Sequence, residues 1–129
     1  GENVEICPMC HIASCPLPTD VTYLGTGVKL DAMVHVGHGT HIGKRTEIPA
    51  GAQISGNCVI GEDAWIGVNA TVANRIHVGN RGRVSLGSVV TRDVYDGQTV
   101  TGNFAVDHGR FINELKNANS EAARIQGGE

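Results

Sequence analysis

Large rings are scarce in this chain. Of its 129 residues only Tyr23, Trp65, Tyr95, Phe104 and Phe111 are aromatic, which excludes a core built on aromatic packing. Cysteine is sparse too. Cys7, Cys10, Cys15 and Cys58 make no convincing disulfide framework, and free thiols fit a cytoplasmic setting. There is no surplus of positive charge: 10 Lys and Arg against 13 Asp and Glu give a formal charge of −3, so a basic face for nucleic acid is not expected. No apolar run approaches the roughly 20 residues of a membrane span, and no membrane insertion is expected. The opening Gly1-Glu2-Asn3-Val4 does not have the form of a signal peptide. It enters the pattern midway, so either further coils upstream or a shortened start is expected. The length suits one domain.

What is abundant is glycine, 18 residues, about twice average usage, and a strict period. Residues 24 to 95 read as twelve six-residue units, each opening on an aliphatic residue: Leu24, Leu30, Val36, Ile42, Ile48, Ile54, Ile60, Ile66, Val72, Val78, Val84 and Val90. Leu, Ile and Val make up about a quarter of the chain, so chance would produce this on the order of once in 10⁷ or 10⁸ trials when counted against a template. The second position is Gly at 25, 37, 43, 61, 67 and 79, and the fifth is uncharged and mostly small from Val28 to Val94. A helix needs apolar residues every three or four positions, and a free strand every two. Six is met by one short strand plus one corner. Three units then close an 18-residue triangular coil, the hexapeptide β-helix. The twelve units give four coils, about 19 Å of stack at roughly 4.8 Å per storey. Gly in second position is expected to serve unusual corner dihedrals.

The flanks set the boundaries. Residues 1 to 23 read as an irregular first coil. Ile6 and Ile12 lie 18 and 12 residues before Leu24 and continue the register backwards. Pro18 stands where an aliphatic is due, so Cys15 to Asp20 is expected to loop out of the prism. Residues 24 to 95 form the regular coils, and 96 to 106 are expected to leave the repeat as an extended exit. The β-helix domain thus spans 1 to 106. Asp107 is expected to cap a helix over 107 to 126 with Phe111, Ile112, Leu115, Ala118, Ala122 and Ile125 on one side, packed on a flat side of the prism or on a neighbouring subunit.

Two clusters carry potential chemistry. Cys7-Pro8-Met9-Cys10-His11 has the C-x-x-C-H form of haem attachment, and zinc accepts Cys and His ligands. Lying within the repeat register, with no second ligand pair, these residues read first as packing thiols, and no metal is assigned. His35, His38 and His41 fall within seven residues. His35 and His41 are sixth positions of consecutive units, hence on different sides, while His38 is a third position. His77, a sixth position two coils after His41, shares its side.

The segment Thr22 to Gly39, reading Thr22-Tyr23-Leu24-Gly25-Thr26-Gly27-Val28-Lys29-Leu30-Asp31-Ala32-Met33-Val34-His35-Val36-Gly37-His38-Gly39, resembles the UDP-3-O-acyl-glucosamine N-acyltransferases of lipid A synthesis. Asn57 to Gly67 and Leu86 to Val94 look more like the nucleotide-sugar and sialic acid acetyltransferases of the same hexapeptide-repeat superfamily. The resemblance implies an all-β fold, a left-handed parallel β-helix of about four to five coils with a C-terminal α-helix. It implies a homotrimer with donor clefts between subunits. It also implies an acyltransferase that moves an acyl group from acyl-CoA or an acyl carrier protein to an amino or hydroxyl group of a nucleotide-linked sugar, with no bound cofactor.

In both groups the histidine matching His38 is the general base. An imidazole, with an ordinary pKa of about 6.5, can take the proton of an attacking amine or hydroxyl. The oxyanion that forms wants a backbone N–H, which in these families comes from a glycine one coil beyond. Eighteen residues after His38 stands Gly56. Asp31 matches an aspartate of the lipid A group that could orient the imidazole. Arg75 stands where that group has a second histidine, and with Asn74 it suits a phosphate or carboxylate. His41 completes the candidate donor- or substrate-binding set. Gly39 follows His38 where the lipid A group has Asn. Two other readings stand beside this one: a γ-type carbonic anhydrase, which binds zinc through three histidines, and a trimeric scaffold without activity.

Overall fold

A computed structural model describes residues 1–127. Its strands are two residues long and stack in parallel on three sides of a triangular prism. The first side holds Glu5–Ile6, Lys29–Leu30, Glu47–Ile48, Trp65–Ile66, Arg83–Val84 and Thr99–Val100. The second holds His11–Ile12, His35–Val36, Gln53–Ile54, Thr71–Val72 and Val89–Val90. The third holds Tyr23–Leu24, His41–Ile42, Val59–Ile60 and His77–Val78, with Val94 bridged to Val78. This is the parallel β-helix expected from the period of six. Each strand turns one residue inward and one outward. The inward residue is the aliphatic first position, and Ile42, Ile54, Ile66, Val72 and Val84 are 0% exposed. The small fifth positions fill the interior between them, from Val28 through Thr40, Ala52, Cys58, Ala64 and Ala70 to Ser88.

The corners correct one expectation. The left-handed residue is the fourth of the unit, not the second, in every unit but the last: Gly27, Met33, Gly39, Arg45, Gly51, Asn57, Asp63, Asn69, Arg75, Arg81 and Gly87 all have positive φ. The second-position glycines serve closeness instead. A Cβ on Gly43 or Gly61 would lie 2.5 Å or 2.6 Å from the backbone of the next storey, a separation real Cβ atoms do not tolerate. Arg45 holds its strained position by gripping that storey: its Nε and Nη2 donate to the two carboxylate oxygens of Asp63 at 2.8 and 2.9 Å. That pair raises the Arg45 pKa and, through the same hydrogen bond, lowers that of Asp63.

The ends depart from the 18-residue register for identifiable reasons. Glu5 pairs with Lys29 and His11 with His35, 24 residues apart, because the loop between Ile12 and Tyr23 absorbs one whole unit. Ile6 therefore stacks beneath Leu30 and not beneath Leu24. At the other end Val94 bridges Val78, 16 residues on. The unit after Val90 is two residues short, and the Asp93 carboxylate supplies the acceptor for the His77 N–H at 2.9 Å. The repeat also outlasts Tyr95, since Thr99–Val100 pairs with Arg83–Val84. The exit segment thus contributes a last strand before it leaves.

The helix runs over His108–Gly127. Asp107 caps it, its carboxylate accepting the Arg110 N–H at 3.2 Å and its carbonyl the Phe111 N–H at 2.9 Å. None of its residues is buried, so it does not pack on a side of its own prism. Phe111, Leu115 and Ile125 are exposed.

Two buried hydroxyls give opposite stability outcomes. Thr40 Oγ1 donates to the Ser55 carbonyl and accepts the Cys58 N–H, while Ser88 Oγ is buried with no partner. A buried polar group costs free energy unless it is paired. Ser88→Ala is expected to hold or raise stability by up to about 1 kcal/mol, and Thr40→Val to lower it by about 1–3 kcal/mol. Urea unfolding of the two variants checks both signs.

Candidate active site

The corner joining the second and third sides gathers most of the predicted residues into one column. His38, Gly56 and Asn74 occupy its third position in successive storeys, with Arg75 in fourth position beside Asn74 and Arg92 one storey further. Main-chain bonds fix the stacking: Asn57 N–H donates to the His38 carbonyl at 2.8 Å and Arg75 N–H to the Gly56 carbonyl at 3.1 Å. The His38 side chain is exposed at this corner.

Gly56 has a specific reason to be glycine. Its φ lies outside the left-handed region, and a Cβ built on it would lie 3.0 Å from His38 Nε2 and 3.2 Å from its Cε1. The imidazole lies against the bare Cα. The turn does not demand a glycine here; the close approach of the His38 ring and of its carbonyl, also at 3.2 Å, favours one. Gly37, preceding His38, is required by the backbone of Ser55 and Gly56. Gly39 combines a φ of +70° with a Cβ position already taken by Asn57 Oδ1, so the asparagine of the lipid A enzymes cannot be placed here without moving Asn57.

The Gly56 N–H, the candidate oxyanion donor, is engaged: it donates to Asn74 Oδ1 at 3.1 Å. The neighbouring corner uses the same device, Glu62 N–H donating to Asn80 Oδ1 at 2.9 Å. Asn74 is thus part of a corner ladder. Asp31 is elsewhere. It sits at the corner between the first and second sides, its Oδ1 accepting the Ala32 N–H at 2.7 Å, so it does not orient His38 within this chain. His41 lies on the third side, its Nε2 donating to the Val21 carbonyl at 2.9 Å and its ring edge-on to Tyr23.

The thiol motif disperses as the chain winds. Cys10 Sγ donates to the Asp31 carbonyl, Cys15 meets the Thr22 hydroxyl, and Cys7 is exposed. His11 instead stacks on His35, with Nδ1 atoms 3.1 Å apart and rings 3° from parallel. Cys58 is buried under the site, and burial raises its pKa above that of a free thiol. His35, His38 and His41 lie on the second side, its corner and the third side. Among the described residues no three metal-ligating side chains converge.

Sequence reasoning missed Thr22. Its hydroxyl donates to the Ala13 carbonyl and accepts the Gly39 N–H at 2.9 Å, replacing at this corner the carbonyl that a regular storey supplies. The break at Pro18 signals that a unit is missing from the prism, but not which hydroxyl closes the gap.

Solved structures share this architecture. A variant of GDP-perosamine N-acetyltransferase from Caulobacter crescentus, in complex with CoA and GDP-perosamine, superposes with a TM-score of 0.59 at 22% identity over 80% of this chain and 58% of that one. The acetyltransferase domain of PglB from Neisseria gonorrhoeae, in complex with acetyl coenzyme A, does so with a TM-score of 0.53 at 27% identity over 81% of this chain and 54% of that one. The chain thus spans little more than half the length of each. No family model matches the chain, and no curated protein matches it. Of the two resemblances carried by the sequence, these structures support the one to acetyltransferases.

Gly56→Ala is expected to keep the fold, because the backbone dihedral is ordinary, and to push the His38 ring outward by a few tenths of an ångström. Histidine ring resonances measured by NMR check this: displaced His38 signals with the other histidines unchanged are the expected result.

Proposed function

We propose that this chain carries an acetyltransferase acting on a nucleotide-linked sugar, with His38 as general base. The observation that carries the reading is the His38 imidazole seated on the Gly56 Cα at an open corner. Support comes from the Neisseria domain solved with acetyl coenzyme A and the Caulobacter enzyme solved with CoA and GDP-perosamine. His38 Nε2 takes the proton of an acceptor amine or hydroxyl as its lone pair attacks the thioester carbonyl. The oxyanion takes the Gly56 N–H, displacing Asn74 Oδ1. Collapse expels the CoA thiolate, which recovers the proton from the imidazolium. Arg75 and Arg92, further along the same column, suit the phosphates of CoA. A hollow of about 570 Å³ lies at that end and includes Arg92, Tyr95 and Gln98. An acyl carrier protein is the alternative donor.

The same reading includes a homotrimer in the cytoplasm. An isolated helix with an apolar stripe is marginal in water, and among the described residues nothing covers Phe111, Leu115 and Ile125, so a neighbouring copy is the partner assigned to them.

His38→Ala is expected to lower kcat for transfer from acetyl-CoA by about 10²–10⁴-fold, the usual worth of a positioned base, with CoA binding retained in calorimetry. Turnover unaffected by the substitution would remove His38 from the chemistry, and absence of CoA binding by the unaltered chain would favour a scaffold. Sedimentation equilibrium is expected to give three times the chain mass, and Leu115→Ser to lower it.

A further inference from the structure

One concavity beside the His38 corner is left unused by this mechanism. Residues 13–22 leave the prism between Ile12 and Tyr23, take the place of a storey under Gly39, and enclose a hollow of about 250 Å³ against the corner. Thr19, Asp20 and Val21 line it from the loop, and Gly39, His41 and Asn57 from the prism. We propose that this hollow is the acceptor subsite and takes a single pyranose ring by its hydroxyl and amino substituents. The proposal rests on the acyl-transfer reading above and adds to it where the sugar sits.

The loop is tied down on both sides. Asp20 N–H donates to the Leu17 carbonyl at 3.1 Å, Thr22 Oγ1 to the Ala13 carbonyl at 2.8 Å, and His41 Nε2 to the Val21 carbonyl at 2.9 Å. A carbonyl only accepts, so His41 carries its proton on Nε2, and in the neutral ring Nδ1 remains an acceptor. The lining therefore offers two acceptors, the Asp20 carboxylate and His41 Nδ1. It offers donors in the Thr19 hydroxyl and the Asn57 amide, and an apolar surface in Val21. A pyranose presents the same mixture, with hydroxyl edges and a C–H face. The hollow holds a carboxylate and neither Lys nor Arg, which is the wrong electrostatics for a phosphate. The nucleotide part of the acceptor therefore lies outside it. Position favours the assignment as well: Gly39 follows His38 and Asn57 follows Gly56, so the hollow borders the corner that carries the imidazole.

The test uses the whole chain and its Asp20→Asn variant. Glucosamine titrated into ¹⁵N-labelled protein is expected to shift the amides of Val21, Gly39 and Asn57, with affinity reduced about tenfold in Asp20→Asn, the scale of one charge-assisted hydrogen bond. In acetyl transfer from acetyl-CoA to a UDP-linked amino sugar, the substitution is expected to raise the acceptor KM by a similar factor, more than it moves the KM for acetyl-CoA. No shift at these amides, or an acceptor KM indifferent to Asp20→Asn while transfer proceeds, overturns the subsite and leaves the acyl-transfer reading intact. Shifts at these amides in a protein that transfers no acetyl group keep the sugar subsite and overturn the reaction.

Discussion

Main-chain hydrogen bonds between storeys hold every functional group of this molecule in place. His41 N–H donates to the Cys58 carbonyl, Val59 N–H to that of Ile76, and Gly43 N–H to that of Ile60, all at 2.8–3.0 Å. A strand of two residues has no independent stability. It exists because it is laid on the strand before and after, while a column of aliphatic side chains is buried beneath it. The aliphatic residues set which residue faces inward, and the ladder sets which residue lies above which. Any side chain of the corner then has a definite neighbour one coil away.

That constraint explains how a solvent-exposed histidine acquires a fixed environment. A lone imidazole on a surface samples many rotamers. Here the ladder delivers a glycine against the ring of His38, and a backbone N–H that a carbonyl or an oxyanion can claim. The same N–H is held by Asn74, which satisfies a donor that would otherwise stand at the corner without a partner. Under the proposed mechanism one acceptor is exchanged for another, an exchange that is close to neutral in free energy when both are good acceptors.

The irregular coils are where this chain acquires its own character. The regular middle can only present a repeated surface. The loop of residues 13–22 adds a wall, a carboxylate and a hydroxyl beside the His38 corner, and the shortened unit after Val90 opens a second hollow at the other end of the same column. The chain meets both departures by substituting side-chain atoms for missing carbonyls, Thr22 Oγ1 under Gly39 and Asp93 Oδ1 above His77.

The prism, its inward columns and the juxtaposition of His38 with Gly56 were legible in the order of residues, because a period of six admits one coil size and a coil size is a distance rule. The cap at Asp107 was legible for a similar reason, since capping is local. Other features were not. The role of the second-position glycines depends on how closely two storeys approach, the separation of Asp31 from His38 depends on which corner it turns, and the meeting of His11 with His35 depends on a loop that swallows one unit. Periodicity alone determined the architecture of this protein. Only the tertiary structure decided its hydrogen-bond partners, because a partner one coil away is reached through space, and insertions of six or deletions of two change that partner without disturbing the local pattern.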